Sequence, residues 1–126
     1  MYESDVLRQV LLAATGLLFA ALALRSWWVP DQVAAELGYR LSGPNGYSEL
    51  HAIYVGLWLA HAALAFYALR HLNQAILGDL LALLILAQPF GRLLALPRFG
   101  PPQGPLMIFF VLEIIGGLLL LAVRPG

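Results

Sequence analysis

Residues 104–123 read GPLMIFFVLEIIGGLLLLAV, a run of hydrocarbon side chains with one carboxylate, Glu113, near its middle. A stretch this apolar is long enough to cross the roughly 30 Å hydrocarbon core of a bilayer, which takes about 20 residues of helix. A carboxylate at that depth is costly unless it is paired or neutral. The fold therefore turns on two questions: whether the rest of the chain is built for lipid, and what faces Glu113.

The composition answers the first. Of 126 residues, 61% are hydrophobic and 11% charged, against roughly 25% charged in a soluble domain. The mean hydropathy is +0.81. Four segments are long and apolar enough to span: residues 6–28, 49–69, 74–96 and 105–123. Lone helices satisfy their own backbone groups in lipid and open strands do not. The expectation is one all-α domain, 1–126, an integral membrane four-helix bundle with no soluble module. Its first segment begins acidic, with Glu3 and Asp5, and its apolar run is long for a signal peptide, so it reads as a retained span.

Several chemistries are excluded at once. The chain has no cysteine, hence no disulfide, thiolate metal site or cysteine nucleophile. Formal net charge is zero, and no basic patch argues for nucleic acid. There is no nucleophile–base pair, phosphate loop or metal-ligand set, which points away from an enzyme, and no motif names a cofactor. All basic residues are arginine. Arg8, Arg70 and Arg124 fall on one side of the membrane, and Arg25, Arg40, Arg92 and Arg98 on the other. The positive-inside count thus leans toward both termini outside. Arg25 and Arg92 lie within helix ends, so orientation stays open.

The first connection is the long one. Pro30 ends the first helix or starts the next, and PDQVAAELG reads as a short interfacial helix, with Asp31 as N-cap and Gly38 as stop. Trp27, Trp28 and Tyr39 fit an aromatic belt beside it. SGPNGY, residues 42–47, then reads as a turn. The RHLN connection is short, so spans two and three form an antiparallel hairpin.

Helices in lipid approach through small residues. Ala13, Gly16, Ala20 and Ala23 make such a stripe on span one; Ala52, Gly56, Ala60 and Ala63 make one on span two. Glu49 shares that second stripe and is expected to point inward. Gln88 and Arg92 are one turn apart, and Glu113 shares a face with Gly117. Glu113 lies roughly 12 Å below Pro105 at 1.5 Å per residue, a depth similar to that of Gln88. Pro89 frees a carbonyl near Ile85. Glu49, Gln88, Arg92 and Glu113 are therefore expected to converge. Their plain role is an ion pair that fixes helix register; the alternative is a buried site for a quinone, a lipid headgroup or a proton. His51, Tyr54, Trp58 and His61 form a second stripe on span two, expected to point out of the bundle toward a partner subunit or ligand. The two histidines are about 15 Å apart along the helix, too far to share one metal. Arg25 is expected to snorkel to the interface, and Asp79 to sit at the hairpin.

The segment PDQVAAELGYRLSGPNGYSELHAIYVGLWLAHA resembles a known family, domain-of-unknown-function family 4345. These are small bacterial four-helix membrane proteins distantly similar to DoxX-like proteins. The family shows a proline and a glycine in the first loop, then an Asn-Glu-x-Arg-x-x-Tyr-Gly-Gly pattern opening helix two, an arginine late in helix three and a glutamate in helix four. Pro30, Gly38, Glu49, Tyr54, Gly56, Arg92 and Glu113 match. Ser48, His51 and Val55 replace the asparagine, the arginine and the first glycine. The resemblance implies the four-helix fold, the polar residues and a multi-pass protein of the bacterial inner membrane; it implies no activity.

Three functional expectations follow. The first is an accessory or scaffold subunit of a larger membrane complex, with the bilayer and other membrane subunits as partners, motivated by the second stripe. The second is a small redox or transport protein with a quinone, lipid or proton site around Glu113. The third is a pigment- or haem-binding subunit through His61 or His51.

Overall fold

The computed structural model describes residues 2–125, with side-chain surroundings from residue 5 onward. All secondary structure among them is helical. Helix α1 (Tyr2–Trp28) is followed by short α2 (Pro30–Glu36). A continuous helical rod comes next, built of α3 (Gly43–Leu50), a π-helical segment (His51–Leu57) and α4 (Trp58–Arg70). Helices α5 (Ala75–Phe99) and α6 (Pro105–Ala122) complete the chain. Asp5–Trp28, Gly43–Arg70, Ala75–Phe99 and Pro105–Ala122 are long and apolar enough to cross a membrane. Only 11% of the apolar window of α6 is buried inside the protein. Ile108, Leu112 and Leu118 are exposed on it. Water would not tolerate so large an apolar surface, whereas hydrocarbon does, so the chain is a multi-pass membrane bundle.

The bundle is two pairs of helices. α1 packs along the π segment and α4, α5 packs along α6, and α1 touches α6 only sparsely. The core runs through the first pair: Leu12, Phe19 and Ala23 against Trp58, Ala62, Ala65 and Ala68, continued by Leu81, Ala82 and Ile85 of α5. Gly16 is buried where α1 meets α4, and a methyl group on it would lie 2.7 Å from Phe66 Cζ.

The small-residue stripe of α1 faces inward, as expected. On the second span the assignment is reversed. Ala52, Gly56, Ala60 and Ala63 are exposed, while Val55, Trp58, His61, Ala62, Ala65 and Ala68 are buried. The rod carries two sets of small residues at helical spacing, and periodicity cannot choose between them. Close approach needs a small residue on only one partner. Here α1 supplies Gly16, Ala20 and Ala23, and the second span brings both rings, Trp58 and His61, and its own small residues, Ala62, Ala65 and Ala68.

Two loop expectations are also corrected. SGPNGY does not end as a turn: Ser42 is the N-cap, and Gly43 and Pro44 open α3. Proline suits a first helical turn because its missing N–H would be unpaired there anyway. Pro30 opens α2 in the same way, with Val29 as N-cap. Asp31 therefore caps nothing and instead accepts a hydrogen bond from Tyr47 Oη at 2.8 Å. The stop at Gly38 is as expected. Gly38 has φ +85°, its N–H bonds Ala35 O and the Tyr39 N–H bonds Ala34 O, the paired bonds of a glycine-terminated helix.

At the opposite membrane face Arg8 is 1% exposed. Its Nε donates to Leu72 O at 3.2 Å and its Nη2 to Gln74 O at 3.5 Å, so it ties α1 to the α4–α5 turn. Gly78 makes the room, since a methyl group there would lie 2.6 Å from Arg8 Nη2. Asp79 sits at this hairpin, as expected, and accepts from Arg124 Nε at 2.9 Å.

Gly16→Leu should lower the unfolding free energy in mixed micelles by about 1–3 kcal/mol through overpacking against Phe66. Gly91→Ala, in open space on α5, should be neutral or stabilising by up to about 1 kcal/mol. Equal effects at both positions would contradict the packing.

Candidate functional site

The sparse contact between α1 and α6 leaves a slot between the two helix pairs, open on one side, with a cavity of about 200 Å³. Leu11, Ala14, Thr15 and Leu18 of α1 line one wall, and Phe109, Leu112 and Gly116 of α6 the other. Tyr54 and Trp58 from the second span, with Ile85, Gln88 and Arg92 from α5, close the back. The short helix α2 adds Val33, Glu36 and Leu37 to the lining.

One end of the cavity is polar. Arg92 Nη1 donates to Glu113 Oε1, joining α5 to α6. Gln88, one turn before Arg92, has its amide oriented by its neighbours: nitrogen donates to Glu113 Oε2, and oxygen accepts from Trp58 Nε1 at 3.2 Å. Both carboxylate oxygens are thus engaged, and a chain of bonds links the second, third and fourth spans. Side-chain exposure is 13% for Glu113 and 24% for Arg92. A guanidinium has five N–H donors, and among the described residues Arg92 gives one bond, to Glu113. Both line the cavity, so the remaining donors of Arg92 are available to an occupant. Pro89, buried beside Gln88, lacks an N–H and leaves the Ile85 carbonyl without its helical partner.

Of the expected cluster, Gln88, Arg92 and Glu113 come together and Glu49 does not. Glu49 is exposed, because the rod turns the face carrying Ala52 and Gly56 outward and takes Glu49 with it. The second stripe moves the other way. Trp58 is 9% and His61 3% exposed, and Tyr54 and His51 are half-buried. The stripe turns inward: Trp58 and His61 meet Phe19 of α1, and Tyr54 and Trp58 also line the cavity. Phe19 stacks on His61 with ring centroids 4.9 Å apart and meets Trp58 edge-on at 5.9 Å. Tyr54 and Trp58 are edge-on at 5.0 Å. His61 Nδ1 and His51 Nδ1 each donate to the carbonyl four residues back, Leu57 O and Tyr47 O, both at 2.7 Å. Neither histidine lines the cavity, and a tetrapyrrole on His61 would have to displace Phe19. Among the described residues no three His, Asp or Glu side chains gather as a metal site.

The π-helical segment sits at this site. Such segments are rare and occur often at functional positions. Here it carries Tyr54, delivers Trp58 at its end, and presents both rings to the same cavity.

A second ion pair stands at the edge of the cavity. Arg25 Nη1 and Nη2 donate to Glu36 Oε1 and Oε2 at 2.9 and 2.6 Å, a two-pronged clasp holding α2 against the end of α1. Arg25 is therefore engaged by α2, beyond the snorkelling expected of it. The sequence reading missed this pair and the role of Trp58. Trp58 had a usable signal: a buried indole N–H needs an acceptor, and Gln88 is a rare amide within the bilayer. The hydrogen bonds from Arg25 hold the Glu36 carboxyl below its usual range.

The family model described as a domain of unknown function, DUF4345, matches residues 7–123, and the chain belongs to that family. Neither a curated protein nor a solved structure matches it.

Two expectations follow. Arg92→Leu leaves Glu113 without its ion-pair partner in a medium of low dielectric and should cost about 3 kcal/mol of stability. Arg92→Leu with Glu113→Leu should regain more than half of that in a double-mutant cycle. Strict additivity would mean the pair is not formed. For the clasp, the pKa of Glu36 is depressed, so its stabilisation is complete above the unfolded-chain value of about 4.3. It is lost as pH falls through the lower folded value. Amide-exchange protection of α2, corrected for intrinsic rates, should stay level from about pH 7 to pH 5 and fall below about pH 4. Glu36→Gln should show the acidic behaviour already at neutral pH, and protection unchanged at pH 3 would refute the clasp.

Proposed function

We propose that this is a small redox or transport protein whose cavity binds a lipid-soluble molecule, a quinone or a lipid, at Arg92 and Glu113. The supporting observation is the cavity of about 200 Å³ that ends on the Gln88–Arg92–Glu113 chain. A purely structural ion pair needs no such space, and packed interiors rarely leave it. A site that is mostly apolar with a few convergent polar groups is the usual form of a small-molecule site. Access from the membrane, through the slot between α1 and α6, suits a ligand that is itself dissolved in lipid. The bacterial inner membrane is part of the proposal and rests on the family resemblance.

The accessory-subunit reading is the second proposal. Its first motive, an outward stripe of His51, Tyr54, Trp58 and His61, is gone, since that stripe turns inward. What still favours it is the largely unburied α6, a face on which another subunit's helix fits as well as lipid does.

Native mass spectrometry of the protein, extracted from its own membrane in mild detergent, separates the two. A small-molecule adduct that disappears in Gly116→Phe is the expected result. Gly116 lines the cavity, and nothing lies within 4 Å of a methyl group placed on it, so phenylalanine there fills the space without displacing the polar end. An adduct unchanged by Gly116→Phe, or the mass of another protein in place of an adduct, would overturn the cavity reading.

A further inference from the structure

We infer that the ligand carries an uncharged, oxygen-bearing head on a hydrocarbon tail, and that the cavity selects against anionic lipids; this rests on the cavity reading above. The argument is a charge balance within the slot. The charged side chains lining it are Arg25, Glu36, Arg92 and Glu113. Each arginine is already paired with one glutamate, so the walls are neutral overall. A phosphate or carboxylate seated on Arg92 would lie beside the Glu113 carboxylate and leave one net negative charge in a medium that solvates it poorly. A neutral carbonyl or hydroxyl accepts from the free N–H groups of Arg92 without that cost.

The rest of the lining agrees. Besides the guanidinium, the polar groups open to an occupant are the neutral hydroxyls of Tyr54 and Thr15; Ser26 is buried and donates to Leu22 O. Away from the polar end the walls are otherwise aliphatic, with Leu18, Ala14 and Leu11 of α1 and Leu112 of α6. The lining residues of α1 extend from Leu11 to Ser26, roughly 22 Å at 1.5 Å per residue. A cavity of about 150 Å³ holds a benzene ring. The space here, about 200 Å³, therefore takes a ring-sized head and leaves the tail in the slot and the surrounding lipid. Two sources share this chemistry, an isoprenoid-type quinone and a neutral glycerolipid such as diacylglycerol.

The test uses the full chain in phosphatidylcholine nanodiscs. Trp27 and Trp28 are both exposed at the membrane edge, so replacing them with phenylalanine leaves Trp58, at the polar end, as the reporter. Decylbenzoquinone, dioctanoylglycerol and decyl phosphate are each titrated, with Gly116→Phe setting the nonspecific response of Trp58 emission. Saturable binding of one or both neutral probes, at least tenfold tighter than decyl phosphate, is the expected result. The neutral probe that saturates identifies the source. Decyl phosphate binding as tightly as the neutral probes would overturn the charge rule and leave the cavity reading standing. No saturable response to any probe would overturn both. Glu113→Gln keeps an acceptor for Arg92 and removes the negative charge. It should therefore shift the ratio at least tenfold toward decyl phosphate, and an unchanged ratio would count against the balance. The wild-type ratio decides the matter even where that variant folds poorly.

Discussion

The structure depends on the Arg92–Glu113 pair. Neither side chain can be placed alone within hydrocarbon without a large cost, and together they are tolerated only where water and protein donors meet them. That requirement sets the relative rotation of α5 and α6: Arg92 and Glu113 must face one another, and Gly117 lets the helices meet close by. A methyl group on Gly117 would lie 2.5 Å from Leu86 Cγ, so the approach of the two helices is near its limit there. Gln88 extends the same constraint to the second span, because it is held by Glu113 on one side and by the Trp58 indole on the other. Pairing the charge thus orients three of the four spans around one point.

Satisfying that point leaves a gap elsewhere. Trp58 reaches across from the second span, and its bulk, with Phe19 and Tyr54, fills the upper part of the first helix pair. α1 follows the second span instead of closing on α6. The slot is the geometric remainder of that choice, and α2 lines part of it, secured by Arg25–Glu36 and by the Tyr47–Asp31 bond. A bundle optimised for packing alone would close the gap with larger residues at Gly116 and Ala14. Small ones stand there, and the resulting space adjoins Arg92, which gives one of its five N–H donors to Glu113.

Much of this was legible in the residues. Length and hydropathy give four spans, and the run of aliphatic residues around Glu113 obliges that carboxylate to find a partner. Arg92 and Gln88, one turn apart at matching depth, are the partners available, and the structure brings the three together. Glu49 was misplaced because its position was argued from a small-residue stripe, and the second span offers two. Nothing local distinguishes Ala52–Gly56–Ala60 from Ala62–Ala65–Ala68; the choice is made by how α1 presents Gly16 and Phe19, a contact between residues far apart in sequence. The same ambiguity sent His51, Tyr54, Trp58 and His61 outward. The π-helical segment adds to it, since it shifts the register of every face after His51, and no propensity marks it. The clasp between Arg25 and Glu36 needed the path of the first loop, which hydropathy does not give.

The pairing across α5 and α6 also bears on how the chain enters a membrane. α5 is synthesised before α6, and it carries Arg92 inside its last third; an arginine at the centre of a lone helix costs roughly 2.5–3.5 kcal/mol, and less toward an end. α6 carries the opposing charge, and its mean hydropathy of 2.4 exceeds that of the other three spans. The last span therefore brings both the counter-charge and a surplus of hydrophobic driving force. Insertion of α5 is thus less costly as a hairpin with α6 than alone, because the fourth span supplies the partner for Arg92.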